Sequence, residues 1–132
     1  MRQEFLINSF CMTQDADKIF FGSSDGLIKV MDIGTSYTLE KSVLAYKGLV
    51  RWFGTSKCGK YLATLGLMLD PNDKYIDTLK IWDLASNSAV SSLDLLYEKV
   101  FDQEIYCLRW YELAGLSKNS PIVPCLAICM ED

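Results

Sequence analysis

A chain of 132 residues in which half of the side chains are hydrophobic is long enough to enclose one packed core and too apolar to stay disordered. Thirteen Lys and Arg against 17 Asp and Glu leave a net charge of −4, which disfavours a nucleic-acid backbone or an anionic bilayer as the main partner. Histidine is absent, which removes the usual general base, the Ser-His and Cys-His couples and most catalytic zinc sites together.

The opening residues, "MRQEFLINSFCM", carry Glu4 and Asn8 where a secretory leader needs an unbroken apolar stretch, and no uncharged run approaches the ~18 residues of a spanning helix. The expectation is a soluble, intracellular chain with no direct membrane insertion. "KIFFGSSDGLIKVMDI" predicts a strand over 18–22, a turn at Ser23-Ser24-Asp25-Gly26 and a strand over 27–33, since Asp-Gly between apolar alternations favours a tight hairpin. A strand over 37–45 follows. "GLVRWFGTSKCGKYLATLGL" repeats the idea, with strands over 49–54 and 61–67 around Ser56-Lys57-Cys58-Gly59, where Gly59 supplies a positive φ. Strands over 78–84, 89–96, 105–113 and 124–130 complete the series, and no convincing helix interrupts it. Turn signals every ~8–12 residues place the chain among all-β sandwiches, barrels and propellers.

Internal repetition selects among these. "TQDADKIFF" from Thr13 lines up with "TSKCGKYLA" from Thr55 at an offset of 42, and "LIKVMDI" from Leu27 with "TLKIWDL" from Thr78 at an offset of 51. The difference of 9 is read as an insertion in "GLMLDPNDKYID", where Asp70-Pro71-Asn72-Asp73 supplies turn chemistry for a longer hairpin loop. A third copy begins at "CLRWY" (107–111), matching "LVRWF" from Leu49, and "CLAIC" from Cys125 answers "YLATL" from Tyr61. A four-strand unit of ~42 residues is the period of a propeller blade, with units at approximately 1–45, 46–96 and 97–132.

The Lys80 to Leu84 pentad "KIWDL" closing a strand, with Gly59 to Ala63, "GKYLA", before it, resembles the WD40 family of β-propellers. More narrowly, "GLIKVMDI", "LAYKGLVRWF", "YLATLGL" and "DTLKIWDL" are similar to the first blades of the N-terminal propeller in the vacuolar protein sorting-associated protein eleven family, core subunits of the HOPS and CORVET tethering complexes. The resemblance implies an all-β, partial WD40-like propeller of about three blades, the last incomplete because Glu131-Asp132 occupies the place of Asp25-Gly26. Since a ring needs at least four blades, the remainder is expected from the same or another chain. It also implies a non-catalytic scaffold in vesicle traffic, cytoplasmic and peripheral on endosome and vacuole or lysosome membranes. Its partners would be other tethering subunits and, indirectly, Rab GTPases and SNAREs; a WD40 adaptor of another complex is the runner-up. The family's buried Asp-His-Ser-Trp network cannot form without histidine, so the blades are expected to rely on apolar packing.

Candidate chemistry is thin, and no catalytic, cofactor or metal residue is expected. "GTSKCGKY" meets the phosphate-loop pattern at Gly54, Gly59 and Lys60, but Tyr61 stands where the metal-binding hydroxyl belongs and the following residues read as strand. Asp70, Asp73 and Asp77 lack the central Gly and terminal Glu of a calcium loop. Trp52 and Trp110, each preceded by Arg, occupy matching places in two repeats and read as structural rather than as a base-stacking platform. Cys11, Cys58, Cys107, Cys125 and Cys129 contain no C-x-x-C and read as buried thiols; Cys125 and Cys129 would lie about 13 Å apart along one strand, too far for one metal or disulfide. Partner contact is therefore assigned to the insertion, at Asp70, Pro71, Asn72, Asp73, Lys74 and Tyr75. In the WD40 arrangement it lies beside 45–48 and 97–104, on a mainly acidic rim with Asp77, Glu98, Asp102 and Glu104 against Lys47, Lys74 and Lys99.

Overall fold

A computed structural model describes residues 7–12, 18–34, 38–57, 59–84, 93–113 and 123–130. Within them lie the strands β1 (Ile7–Met12), β2 (Lys18–Ser23), β3 (Leu27–Asp32), β4 (Thr38–Leu44), β5 (Val50–Thr55), β6 (Tyr61–Leu69), β7 (Tyr75–Asp83), β8 (Asp94–Val100), β9 (Ile105–Leu113) and β10 (Val123–Met130). No helix occurs among the described residues, so none there is long and apolar enough to cross a membrane. Neighbouring strands pair antiparallel into two four-stranded sheets, β1 to β4 and β5 to β8, and a two-stranded sheet of β9 and β10. Strand β1 escapes the sequence reading because Asn8 and Ser9 interrupt its apolar alternation. Strand β8 runs to Val100 instead of ending at 96, and residues 85–92, together with Cys58 and Glu131-Asp132, lie outside the described residues.

The sheets stack face to face. Phe20, Ile28 and Val30 of the first meet Val50, Phe53, Leu62 and Trp82 of the second, and the opposite face of the second presents Ala63, Leu65 and Leu79 to Ile105 and Leu108 of the third. Each of the Val, Leu, Ile and Phe side chains among them, taken fully out of water, contributes about 1.5–3 kcal/mol. Because the second sheet is covered on both sides, its strands are apolar on both faces, and hydrophobic alternation no longer distinguishes one register from its neighbour.

That ambiguity shifts two of the sequence alignments. Phe20 faces the next sheet, as Ala63 does, so β1 and β2 correspond to β5 and β6 at an offset of 43, not 42; Ile28 and Leu79 keep the offset of 51. The first hairpin makes its last pair at Gly22↔Ile28 and turns through residues 23–27, while the second pairs on to Leu69↔Tyr75 and turns through residues 70–74. The insertion is therefore not a longer loop. It is four further cross-strand pairs, Gly66↔Thr78, Leu67↔Asp77, Met68↔Ile76 and Leu69↔Tyr75.

A bulge recurs in the first strand of every sheet, leaving Asn8, Arg51 and Tyr106 as the extra residues. Aligning those bulges makes Cys107 the counterpart of Trp52, and the two tryptophans are not equivalent. Trp52 packs toward the third sheet, whereas Trp110 points back, donates its indole N–H to the Gly54 carbonyl at 2.8 Å and stacks on Tyr61. Both are structural, for different reasons.

The residues that mimic a phosphate loop close the β5–β6 hairpin. Gly59 N–H donates to the Ser56 carbonyl at 2.9 Å, Tyr61 N–H to Ser56 Oγ at 3.1 Å, and Tyr61 opens a strand where a phosphate loop needs a helix. With those backbone donors engaged, ATP or GTP with Mg²⁺ is expected to leave the melting temperature unchanged. A saturable rise that Lys60→Ala removes would contradict this, since a ligand of the folded state must stabilise it.

Candidate partner-binding cleft

The extended β6–β7 hairpin is held upright by its turn. Asp70 Oδ1 accepts the N–H groups of Asn72 at 2.8 Å and Lys74 at 2.9 Å, Asp70 N–H donates to the Lys74 carbonyl, and Asp73 takes the left-handed conformation with φ 60°. An Asp-Pro start followed by an Asp that tolerates positive φ is the chemistry of such a turn. Asp70 is thus committed to the turn, while residues 71–75 are exposed.

Two neighbours flank the hairpin. On one side Lys47 and Gly48 donate their N–H groups to the Leu67 carbonyl at 3.1 and 3.0 Å; on the other Phe101 N–H donates to the Asp77 carbonyl at 2.9 Å. Between the hairpin and residues 101–104 opens a cleft of about 570 Å³. Asp70, Lys74 and Tyr75 line it with Phe101, Asp102 and Glu104, whereas Pro71, Asn72 and Asp73 form the exposed tip beyond it. Of the six residues assigned from sequence, the structure therefore brings three into the cleft. Tyr75, 54% exposed, is the largest apolar surface among them.

The floor is an ion pair that the sequence reading misplaced. Asp77 is 6% exposed and does not belong to the acidic rim: its carboxylate accepts two bonds from Arg51, at 2.6 and 2.8 Å, and one from Ile105 N–H at 3.0 Å. Arg51 also donates to the Ile105 carbonyl at 3.3 Å, so the bulged residue of β5 clamps the second sheet to the start of the third. Glu98 is likewise off the rim, paired across the sheet with Lys80. Nothing in the sequence marked Arg51 for this role, because its match with Arg109 rested on the wrong register. Among the described residues no group of three or more metal-ligating side chains comes together.

No family model matches the chain, and no curated protein matches it. Among solved structures, the β-propeller domain of Cps50 (Swd1) from Myceliophteria thermophila is similar at TM-score 0.60 and 14% identity, over 74% of this chain and 28% of that one. U3-55K is similar at TM-score 0.46 and 15% identity, over 82% of this chain and 43% of that one. The chain thus spans less than half the length of either. The fold is that of a β-propeller. Its four-stranded sheets are blades, and the cleft lies where a hairpin joining second to third strands meets the connection between successive blades.

One expectation about the blades is corrected. Tyr46, 1% exposed just ahead of β5, places its hydroxyl 2.7 Å from Thr64 Oγ1 and 2.9 Å from the Thr64 carbonyl, and Trp82 Nε1 donates to Thr64 Oγ1 at 3.0 Å. The second blade therefore has a buried polar network without histidine, built on the Tyr46 phenol, Thr64 and Trp82. Burial pushes the Tyr46 hydroxyl well above the ordinary phenol range, and burial likewise lowers the neighbouring Lys80, whose ammonium donates to the Ala45 carbonyl and sits 4.9 Å from the Tyr46 ring centre.

Proposed function

We propose that this chain is a non-catalytic interaction scaffold, the propeller of a HOPS/CORVET-type tethering subunit acting in endosome-to-vacuole or lysosome traffic. The observation that carries the scaffold reading is the hairpin. A blade closes its second turn after Gly22↔Ile28, so the four extra pairs of β6–β7 are not needed for the sheet, and they raise Leu69 and Tyr75 beside an open cleft. An exposed Tyr at the edge of a concave surface has the form of an interface anchor. The narrower reading is supported by the sequence resemblance, above all by Ala45-Tyr46-Lys47 ahead of β5. On this reading the partners are other tethering subunits, with Rab GTPases and SNAREs reached through them. The chain then acts on cytoplasmic membrane surfaces without entering them. The exposed outer faces, with Phe10 and Leu44 on the first sheet and Arg109 and Ala127 on the third, receive further blades from the same or another chain.

The test replaces residues 69–75 with Asp-Gly, which closes the hairpin as a two-residue turn on the Met68↔Ile76 pair. Binding to purified HOPS and CORVET core subunits is expected to weaken at least about tenfold, equivalent to roughly 1.4 kcal/mol, with unchanged circular dichroism and melting. Unchanged binding by the variant would overturn the cleft as the contact. Absence of binding by the unaltered chain, alongside capture by another propeller-containing complex, would instead favour an adaptor outside tethering.

A further inference from the structure

Resting on the reading of the cleft as a partner contact, we propose that it takes an arginine side chain of that partner, whose guanidinium lies against the Tyr75 ring and pairs with Asp102 and Glu104. Four carboxylates, of Asp70, Asp77, Asp102 and Glu104, line the cleft against two cations, Arg51 and Lys74. A cationic group is therefore what the cleft attracts and an acidic one what it rejects. Its walls are the second-sheet hairpin and the connection into the third sheet, so it does not open on the outer faces that receive further blades.

The floor is already satisfied. Arg51 donates to Asp77 at 2.6 and 2.8 Å and to the Ile105 carbonyl at 3.3 Å, and it reaches Glu104 only at 3.9 Å. Glu104 keeps 56% of its side chain exposed, and Asp102 is exposed beside it. Asp70 is engaged by the backbone N–H groups of its own turn. Asp102 and Glu104 are thus the carboxylates left to meet a ligand. Lys99 does not line the cleft and sits 5.1 Å from the centre of the Phe101 ring.

Tyr75 supplies the second element. A Cβ placed on Gly48 would fall 2.8 Å from Cε1 of the Tyr75 ring, so the ring is laid across the hairpin onto a residue without a side chain and is positioned before any ligand arrives. More than half of Tyr75 nevertheless remains exposed. An aromatic ring beside two open carboxylates selects a guanidinium, which stacks on the ring while presenting a planar fork of N–H donors to the carboxylates; a compact ammonium cannot do both as well.

The test follows backbone amide shifts by NMR while the whole chain is titrated with an acetylated and amidated Gly-Gly-Arg-Gly-Gly peptide, and with the same peptide carrying citrulline, which keeps the shape of arginine without its charge. Saturable shifts at residues 74–75 and 102–104 are expected with the arginine peptide, weakening as salt is raised, and binding of the citrulline peptide is expected to be at least about threefold weaker. Asp102→Asn combined with Glu104→Gln is expected to reduce arginine to the citrulline level, and Tyr75→Leu to weaken it, with shifts elsewhere in the chain unchanged. Equal binding of the two peptides, shifts confined to other residues, no binding, or unaltered binding by the double variant would each overturn the proposal. The peptides are not tethering subunits, so the two readings fail separately. Loss of subunit binding on hairpin replacement together with equal peptide binding keeps the cleft as the contact and removes arginine as its occupant; arginine-selective binding without any binding of HOPS or CORVET subunits keeps the arginine site and removes the tether.

Discussion

Gly26→Ala is expected to destabilise the protein by roughly 2–5 kcal/mol, while Gly59→Ala costs only about 1–2 kcal/mol. Both glycines turn a hairpin in the left-handed region, at φ 85° and 75°, so the conformational penalty for adding a Cβ is nearly the same. Their surroundings differ. A Cβ on Gly59 meets nothing within 4 Å, whereas one on Gly26 falls 2.0 Å from the Tyr46 carbonyl oxygen. That neighbour is backbone and cannot rotate away, because Gly26 itself accepts the N–H groups of Ala45 and Tyr46, each at 3.1 Å. Relieving the clash therefore pulls the first hairpin from the segment that leads into the second blade and disturbs Tyr46. Urea unfolding of the two variants decides the matter: equal losses would mean that the contact between Gly26 and the blade connection does not form in solution.

The same contact shows why the fold was partly legible. Asp-Gly at 25–26 and Gly59 are turn signals whose chemistry is local, and apolar runs between them locate strands without any knowledge of partners. Register is different. In a sheet covered on both faces, sliding a strand by one residue exchanges one apolar set for another, so "TQDADKIFF" aligns with "TSKCGKYLA" through their polar turn residues one position away from the true equivalence. Bulges at Asn8, Arg51 and Tyr106 compound the problem, since each moves the following side chains to the other face and none has a marker residue.

For the candidate site, proximity was legible and burial was not. The order of strands in a blade was enough to put residues 70–75 beside residues 101–104. Whether a carboxylate reaches solvent depends on a long-range partner, and Asp77 meets Arg51 from 26 positions away. Cys107 and Cys129 illustrate the reverse error. Both lie in apolar stretches and read as buried, yet both are exposed on the outer face of the third sheet, which no described strand covers.

The histidine-free network carries the remaining prediction. Thr64→Val keeps the volume of the side chain but leaves the buried Trp82 indole N–H without an acceptor and removes the Tyr46 to Thr64 Oγ1 bond, at an expected cost on the order of 2–4 kcal/mol. Tyr46→Phe leaves the Trp82 to Thr64 bond in place and costs less, about 1–2 kcal/mol. If the blade relied on apolar packing alone, both substitutions would be nearly neutral, and such an outcome would refute the network. The pH dependence separates the two further. The folded state holds the Tyr46 phenol above its ordinary value near 10, so its contribution is fully present below pH 10 and is lost as pH rises beyond, where the unfolded chain ionises and the folded one does not. Lys80 acts with the opposite sign: burial lowers it, so its penalty fades as pH climbs toward 10.5. Tyr46→Phe retains Lys80, so the alkaline loss of stability above about pH 10 should shrink in that variant and persist in Thr64→Val, whose phenol still has the Thr64 carbonyl as acceptor at 2.9 Å.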